Sequence, residues 1–263
     1  MNPTGRRVAL AFLAHPDDAE ILCAGTLARL AGAGWQVDIA TATAGDCGSM
    51  TLSPRQVSRI RRAEAARSAS LIGARYHCLG EKDVLVVFDK PTIRKTIDLF
   101  RDIAPTLLFT HPADDYMMDH QQVHLLARSA SFAYAAPNAS RRALVDGSRV
   151  PHLYYCDPID GVNSLGEPVT PTTVIDIADQ HALKLQMLAC HDSQRAWLRA
   201  HHGVDEYMDA VRRHDAARGT LVGSAAAEAF VQHRGHAYPA DDLLARLFRA
   251  PRPRRRNSPQ PGR

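Results

Sequence analysis

The sequence predicts an α/β fold class: a Rossmann-like, doubly wound, mostly parallel sheet in a single domain with a helical C-terminal third. Three observations predict it. Apolar runs of strand length alternate with amphipathic stretches of helical length, Gly-rich or polar turns separate them, and from Asp179 to Arg249 the pattern becomes largely helical. Arg7 to Ala14, apolar from Val8 on, suits a strand buried on both faces. Glu20 to Gly32 follows with Cys23, Leu27, Leu30 and Ala31 at helical spacing, and Gly34 stands where a helix end needs positive φ. Trp35 to Thr43 is the second strand, ended by Ala44-Gly45-Asp46-Cys47-Gly48-Ser49, so the first unit is a right-handed parallel crossover. A charged helix near Pro54 to Leu71, a strand near Ala74 to Leu79, a helix near Thr92 to Ile103 and a strand at Thr106 to Thr110 continue the alternation. A helix capped by Asp119 comes next, with Val123, Ala127 and Ala130 on one face, and then strands at His152 to Cys156 and Thr173 to Ile177.

With 263 residues, 45% hydrophobic and 23% charged, the composition is that of an ordinary globular protein and excludes general disorder. The formal charge of +4 belongs to one end. Six arginines and no acid fall between Arg249 and Arg263, which leaves 26 basic against 28 acidic residues elsewhere. Residues 1–250 are therefore expected to form the domain and 251–263 a disordered basic tail, with no nucleic-acid surface on the body. No run approaches the ~20 apolar residues of a membrane span. Arg6 and Arg7 before an apolar run imitate a secretion signal, but His15-Pro16-Asp17-Asp18 follows where a cleavage site would stand, so a buried strand and a cytoplasmic location are expected. The five cysteines are scattered, without metal-ribbon or redox spacing, and are expected to be reduced, mostly buried thiols. The expected partner is a small molecule, with a homo-oligomer left open.

In doubly wound folds ligands bind beyond the carboxyl ends of the strands, and His15, Gly45 and His111 each follow a strand. His15-Pro16-Asp17-Asp18-Ala19-Glu20 puts an imidazole and two carboxylates where the first strand turns into the first helix. Capping by Asp17 or Asp18 would account for the acids but leaves His15 unexplained. A hydrolytic zinc takes three His, Asp or Glu ligands and keeps a position open. His15 and Asp18 supply two such donors, and Asp17 can stand beside a water as base. Downstream, His120 and His124 share a helical face with Val123 and Ala127 and are candidates to complete the set, although histidines on an apolar face are more often core residues.

Together these residues resemble the PIG-L/LmbE-like family of zinc-dependent N-deacetylases. Its signature, Ala-His-Pro-Asp-Asp-x-Glu after the first strand, is matched in full by Ala14 to Glu20. The resemblance implies that His15, Asp18 and His120 bind the metal, zinc or iron(II), and that Asp17 is the general base. It further implies substrate contacts from Asp46 in the Gly45-Asp46 loop, from Arg61 of the Arg61-x-x-Glu64 pair, and from Asp83. Glu64 reads equally as the partner of a surface ion pair, and Glu20 as an orienting partner of His15 or a surface carboxylate. Cys190-His191-Asp192-Ser193-Gln194 is similar to the family's His-x-Ser-Gln segment. One departure stands out: many members carry a histidine three residues before the last ligand, where it polarises the carbonyl or protonates the amine, and this chain has Met117. His124, His191 or His111 is left to fill that role, or zinc acts alone. The implied substrate is an amino-sugar conjugate carrying an N-acyl, typically N-acetyl, group: an N-acetylglucosamine conjugate, a thiol-cofactor precursor, a glycolipid or an acylated antibiotic.

Two rival readings stand beside this one. A dinucleotide-binding domain needs a Gly-rich first turn, and this turn is His-Pro-Asp-Asp. A relative that binds metal or sugar without turnover is suggested by Met117 alone.

Overall fold

The computed structural model describes residues 5–202 and 207–250, so the expected tail, 251–263, lies outside the described residues. Its strands are β1 (Val8–Leu13), β2 (Gln36–Thr43), β3 (Arg75–Glu81), β4 (Leu107–Thr110), β5 (His152–Cys156), β6 (Thr173–Asp176) and β7 (Ala227–Gln232). They form one sheet in the order β3-β2-β1-β4-β5-β7-β6. β1 to β5 pair in parallel, while β7 runs antiparallel between β5 and β6. The helices are α1 (Asp18–Leu22), α2 (Ala24–Gly32), α3 (Pro54–Ser70), α4 (Lys90–Ile103), α5 (Met118–Ala133), α6 (His181–Leu188), α7 (Asp192–His202), α8 (Tyr207–Gly219) and α9 (Leu243–Phe248).

β1 has no polar face because helices cover both sides of the sheet. Val8, Leu10 and Phe12 enter one core layer with Phe100, Leu108, Val123 and Leu126. Ala9, Ala11 and Leu13 enter the other with Leu27, Leu30, Phe109 and Tyr154. Each large side chain so buried contributes ~1.5–3 kcal/mol. Successive connections leave β1 toward β2 on one side and arrive at β4 on the other, so strand order reverses between β1 and β4. The crevice beyond their carboxyl ends is the place where such sheets bind ligands.

Local chemistry sets most boundaries. Gly34 adopts φ 78° after α2, as its position predicts. Ser53 and Gln56 make a capping box ahead of Pro54, and Asp89 accepts the Thr92 N–H at 2.8 Å to start α4.

Three expectations are corrected. The single helix Glu20 to Gly32 is two helices, broken at Cys23 (φ −150°), because the Glu228 carboxylate on β7 accepts the N–H groups of Gly25 and Thr26 and opens a fresh helix start. Asp119 is not the cap of α5: Met117 holds that position, and the Asp119 side chain turns back to other partners. The helical last third is interrupted by β7, where the Ala-rich stretch Ala225 to Ala229 has helix propensity but fills an interior slot between two strands. All five cysteines are free, yet only Cys23 and Cys156 are buried. Among the described residues, no helix is long and apolar enough to cross a membrane.

Candidate metal centre and its cavity

Beyond the carboxyl ends of β1 and β4 lies a cavity of about 520 Å³, walled by the loops after β1, β2, β3 and β4 and by α7 and α8. Two residues of its wall hold backbone conformations that L side chains avoid. Asp17 has φ 103° and the β-branched Val84 has φ 60°. Such positions cost ~1–3 kcal/mol and persist only where their surroundings fix them. For Asp17 the fixing contacts are the Tyr207 hydroxyl, which donates to Oδ2 at 2.6 Å, and Arg61 Nη2, 3.5 Å from Oδ1. For Val84 they are the carboxylates of Asp119 and Asp83, which accept its N–H at 2.8 and 3.1 Å.

His15, Asp18 and His120, all buried, present ligand atoms within 4.8 Å of one another. Their outer partners leave one atom of each for a shared ion. His120 Nδ1 is bonded to Asp115 Oδ1 at 2.9 Å, so Nε2 faces Asp18 Oδ1, 3.7 Å away. His15 Nε2 is 3.2 Å from both Asp119 Oδ2 and Asp83 Oδ1, so Nδ1 faces Asp18 Oδ2 at 3.4 Å. A histidine whose far nitrogen is held by a carboxylate is the usual arrangement of a metal ligand. The electrostatics agree. Burial alone would lower the His15 imidazole, but the carboxylates of Asp119, Asp18 and Asp83 outweigh it and hold its pKa well above the ordinary value. Burial alone would raise Asp18, but His120 and His111 beside it pull its carboxyl well below the usual range. The cluster attracts a cation, and without metal a proton on His15 takes that place.

Three other groups of donors come as close: His111, Asp115 and His120; His15, Asp83 and Asp119; Asp46, Cys47 and Asp83. Their carboxylates are already engaged. Asp115 holds His120, Asp119 accepts the N–H groups of Val84 and Val86, and Asp46 pairs with Lys82 Nζ at 2.7 Å.

The remaining residues singled out in the sequence divide. Asp17, Arg61 and Asp83 line the cavity. Burial raises the Asp17 carboxyl, Arg61 opposes the rise, Asp18 adds to it, and the outcome is a pKa above the ordinary value. Arg61 is spent within the wall: Nη1 donates to the Gly45 carbonyl and Nη2 to that of Pro16. Gly45, at φ 64°, is required there, since a Cβ would lie 2.1 Å from Arg61 Nη1. Asp46, His124 and His191 do not line the cavity. Asp46 instead accepts the Asp83 N–H and fixes that loop from behind. His124 gives Nδ1 to the His111 carbonyl at 3.0 Å, on the far side of His111. His191 stands at ion-pair distance, 3.3 Å, from Glu20 Oε1. Glu20 thus serves neither His15 nor the surface; buried, it also accepts the Ser68 hydroxyl. His111 is fully buried, stacked on His120 with ring centres 3.8 Å apart, and its Nε2 accepts the Ala14 N–H. Burial and then His120 push its pKa down to about 4, so the ring is neutral. Glu64 is no surface ion-pair partner: it accepts both the N–H and the hydroxyl of Ser193 and anchors the first turn of α7.

Several residues of the cavity and of the cluster beside it escaped the sequence reading. Asp115 had a weak signal, as an acid five positions before the ligand histidine. Tyr207 and His214 had none, because their relevance depends on where α8 crosses the site.

Residues 10–131 match the family described as PIG-L: GlcNAc-PI de-N-acetylase. Over these residues the chain is similar to the PIG-L/LmbE-like family, and its mostly parallel sheet matches the fold of PIG-L deacetylases. A diacetylchitobiose deacetylase of Thermococcus kodakarensis is 27% identical over 188 residues, 68% of this chain and 67% of that protein. The structure of N,N'-diacetylchitobiose deacetylase from Pyrococcus horikoshii superposes with a TM-score of 0.75 at 22% identity, covering 92% of this chain and 90% of that one. The 4-carboxy-2-hydroxymuconate hydratase from Pseudomonas putida superposes with a TM-score of 0.72 at 22% identity, over 90% and 99% of the two chains.

Proposed function

We propose that the protein removes an N-acyl group, acetyl above all, from an amino-sugar conjugate, with zinc held by His15, Asp18 and His120. One observation carries this reading: a buried His-Asp-His group with its ligand atoms within 4.8 Å, at a cavity that the raised carboxyl of Asp17 also lines. When bound, zinc supplies Lewis acidity, which makes a water acidic near neutral pH and polarises an acyl oxygen.

The chain's own groups do the rest. Hydrolysis forms a C–O bond from water and breaks the C–N bond, so one proton must travel from the water to the departing nitrogen. Asp17 takes that proton and returns it, a role that a carboxyl with a raised pKa performs better than an ordinary one. Arg61 and the Tyr207 hydroxyl hold its two oxygens in place. Asp119, Asp83 and Asp115 orient the two histidines. Ile21, Trp197, Leu198 and Val211 give the cavity an apolar wall against which a sugar ring can lie.

The same fold carries a hydratase, so the test covers both reactions. Zinc-loaded protein is incubated with a panel of N-acetylated amino sugars and their glycosides, and separately with 4-carboxy-2-hydroxymuconate. Equimolar amine and acetate from the first set is the expected result. Consumption of the muconate with no amine released from any member of the panel would replace deacylation with hydration.

A further inference from the structure

The second polar group of the reaction, which relatives place three residues before the last ligand, is absent at Met117. Of the histidines put forward in its stead, His111 is closed off by the Ala14 N–H, His124 by the His111 carbonyl, and His191 pairs with Glu20 outside the cavity. Apart from the proposed ligands His15 and His120, the histidine lining the cavity is His214. It sits on α8 with Tyr207, Ala210 and Val211, at the i, i+3, i+4, i+7 spacing of a single helical face, and all four line the cavity.

His214 is also held from behind. Its Nε2 lies 3.5 Å from Asp157 Oδ2, just past the end of β5, and Asp157 is in turn fixed by Arg218 Nε. Burial, with the cations of Lys184 and Arg218 adding to it, pushes the His214 pKa down to about 3, so its ring is neutral. A neutral imidazole offers one N–H and one lone pair. A proton on Nε2, the nitrogen nearer the Asp157 carboxylate, leaves the lone pair of Nδ1 for a ligand.

We propose that His214 grips the reacting amide, accepting its N–H through the ring nitrogen that Asp157 does not engage, and so does by another route what the missing histidine does in relatives. The proposal rests on the deacylase reading for its substrate. Gripping the N–H fixes the amide plane, turning the acyl oxygen toward His15, Asp18 and His120 and the nitrogen toward Asp17. The water oxygen bonds to the acyl carbon, the C–N bond breaks, and the proton taken by Asp17 goes to that nitrogen. His214 itself ends as it began, neutral.

The test separates gripping from turnover. Methyl N-acetyl-β-glucosaminide and its N-methyl counterpart, which lacks the N–H, are titrated calorimetrically into metal-free wild type, His214→Leu and His214→Gln. Wild type should prefer the N–H ligand about tenfold, the size of one hydrogen bond of ~1–1.5 kcal/mol. The preference should collapse to about one in His214→Leu and partly return in His214→Gln, whose carbonyl can accept. A purely structural role, or a steric effect of the added methyl, would leave the ratio in His214→Leu as in wild type, and that result overturns the proposal. With metal restored, amine release should fall at least tenfold in His214→Leu at unchanged metal content. If wild type releases no amine at all yet shows the binding preference, the deacylase reading fails while the amide grip stands.

Discussion

At the scale of residues, the site is a set of side chains each aimed by another. His120 offers Nε2 to an ion because Asp115 holds Nδ1 at 2.9 Å. Asp115→Asn should therefore weaken zinc about 10–100-fold, the usual cost of losing such an outer partner, while His120→Ala should abolish stoichiometric binding. Metal analysis of dialysed protein checks both, and full occupancy in His120→Ala would remove that residue from the site. Asp17→Asn should keep the metal and lose most turnover, since an amide preserves size but accepts no proton. Metal loss in that variant, with activity restored by excess zinc, would make Asp17 a ligand instead. His15, Asp17, Asp18 and His120 were legible in the sequence because they form a compact loop signature and a dipeptide after strands that the alternation placed at one rim. Asp115 was barely legible, and Tyr207 and His214 were not, because nothing local marks a residue whose partner is contributed by another element. His124, put forward by helical periodicity, and His191, put forward by the resemblance of its segment, do not line the cavity: neither signal says which way a buried side chain faces.

Among the elements, the parallel core was readable from apolar runs between turn residues, whereas β7 was not. Its Ala-rich sequence follows helix propensity, and only the slot between β5 and β6 forces it to extend. That slot has a further consequence. Glu228 on β7 caps α2 and pairs with Lys184 of α6, which also pairs with Asp215 of α8, and all three side chains are buried. Removing one partner leaves unpaired charge in the interior, so Lys184→Met should cost ~3–5 kcal/mol, read as a lower urea midpoint. A loss below ~1 kcal/mol would show that the acids relax into water. The outer strand β3 depends on charge differently. Burial raises the buried Asp38 carboxyl of β2, but bonds from His77 and Arg75 on β3 and from Gln36 outweigh it and lower its pKa to about 2. A depressed carboxyl stabilises the fold above its ordinary value of 3.8 and ceases to do so as pH falls through about 2. Asp38→Asn should thus be less stable than wild type at pH 7 and converge with it near pH 2. A stability gap independent of pH would assign the loss to packing rather than to the charge.

For the whole molecule, the metal centre and the fold are thermodynamically one system. Five carboxylates, those of Asp17, Asp18, Asp83, Asp115 and Asp119, are buried beyond the carboxyl ends of the strands around β1 and β4. Arg61 and whatever protons the histidines hold oppose their mutual repulsion, and His15 is drawn to hold one. An ion that binds the folded chain and not the unfolded one stabilises it by RT ln(1 + [L]/Kd), ~2.7 kcal/mol at a hundredfold excess over Kd. For a domain of this size ~1 kcal/mol moves the melting temperature by about 2–4 °C, so saturation should raise it by about 5–10 °C over the chelated protein. The rise should continue with zinc concentration beyond stoichiometry, as mass action requires. Because binding displaces the His15 proton, the zinc-induced shift should also grow as pH is raised from 6 to 8. In His15→Ala both the shift and its pH dependence should be lost, and the chelated protein should itself lose ~3–5 kcal/mol, because deleting the charge holder leaves the buried acids around it uncompensated. Scanning calorimetry of wild type and His15→Ala, each with chelator and with graded zinc, measures all three quantities. A wild-type melting temperature that ignores zinc would mean that these carboxylates are balanced by the chain alone, and that the His-Asp-His group is not a metal centre.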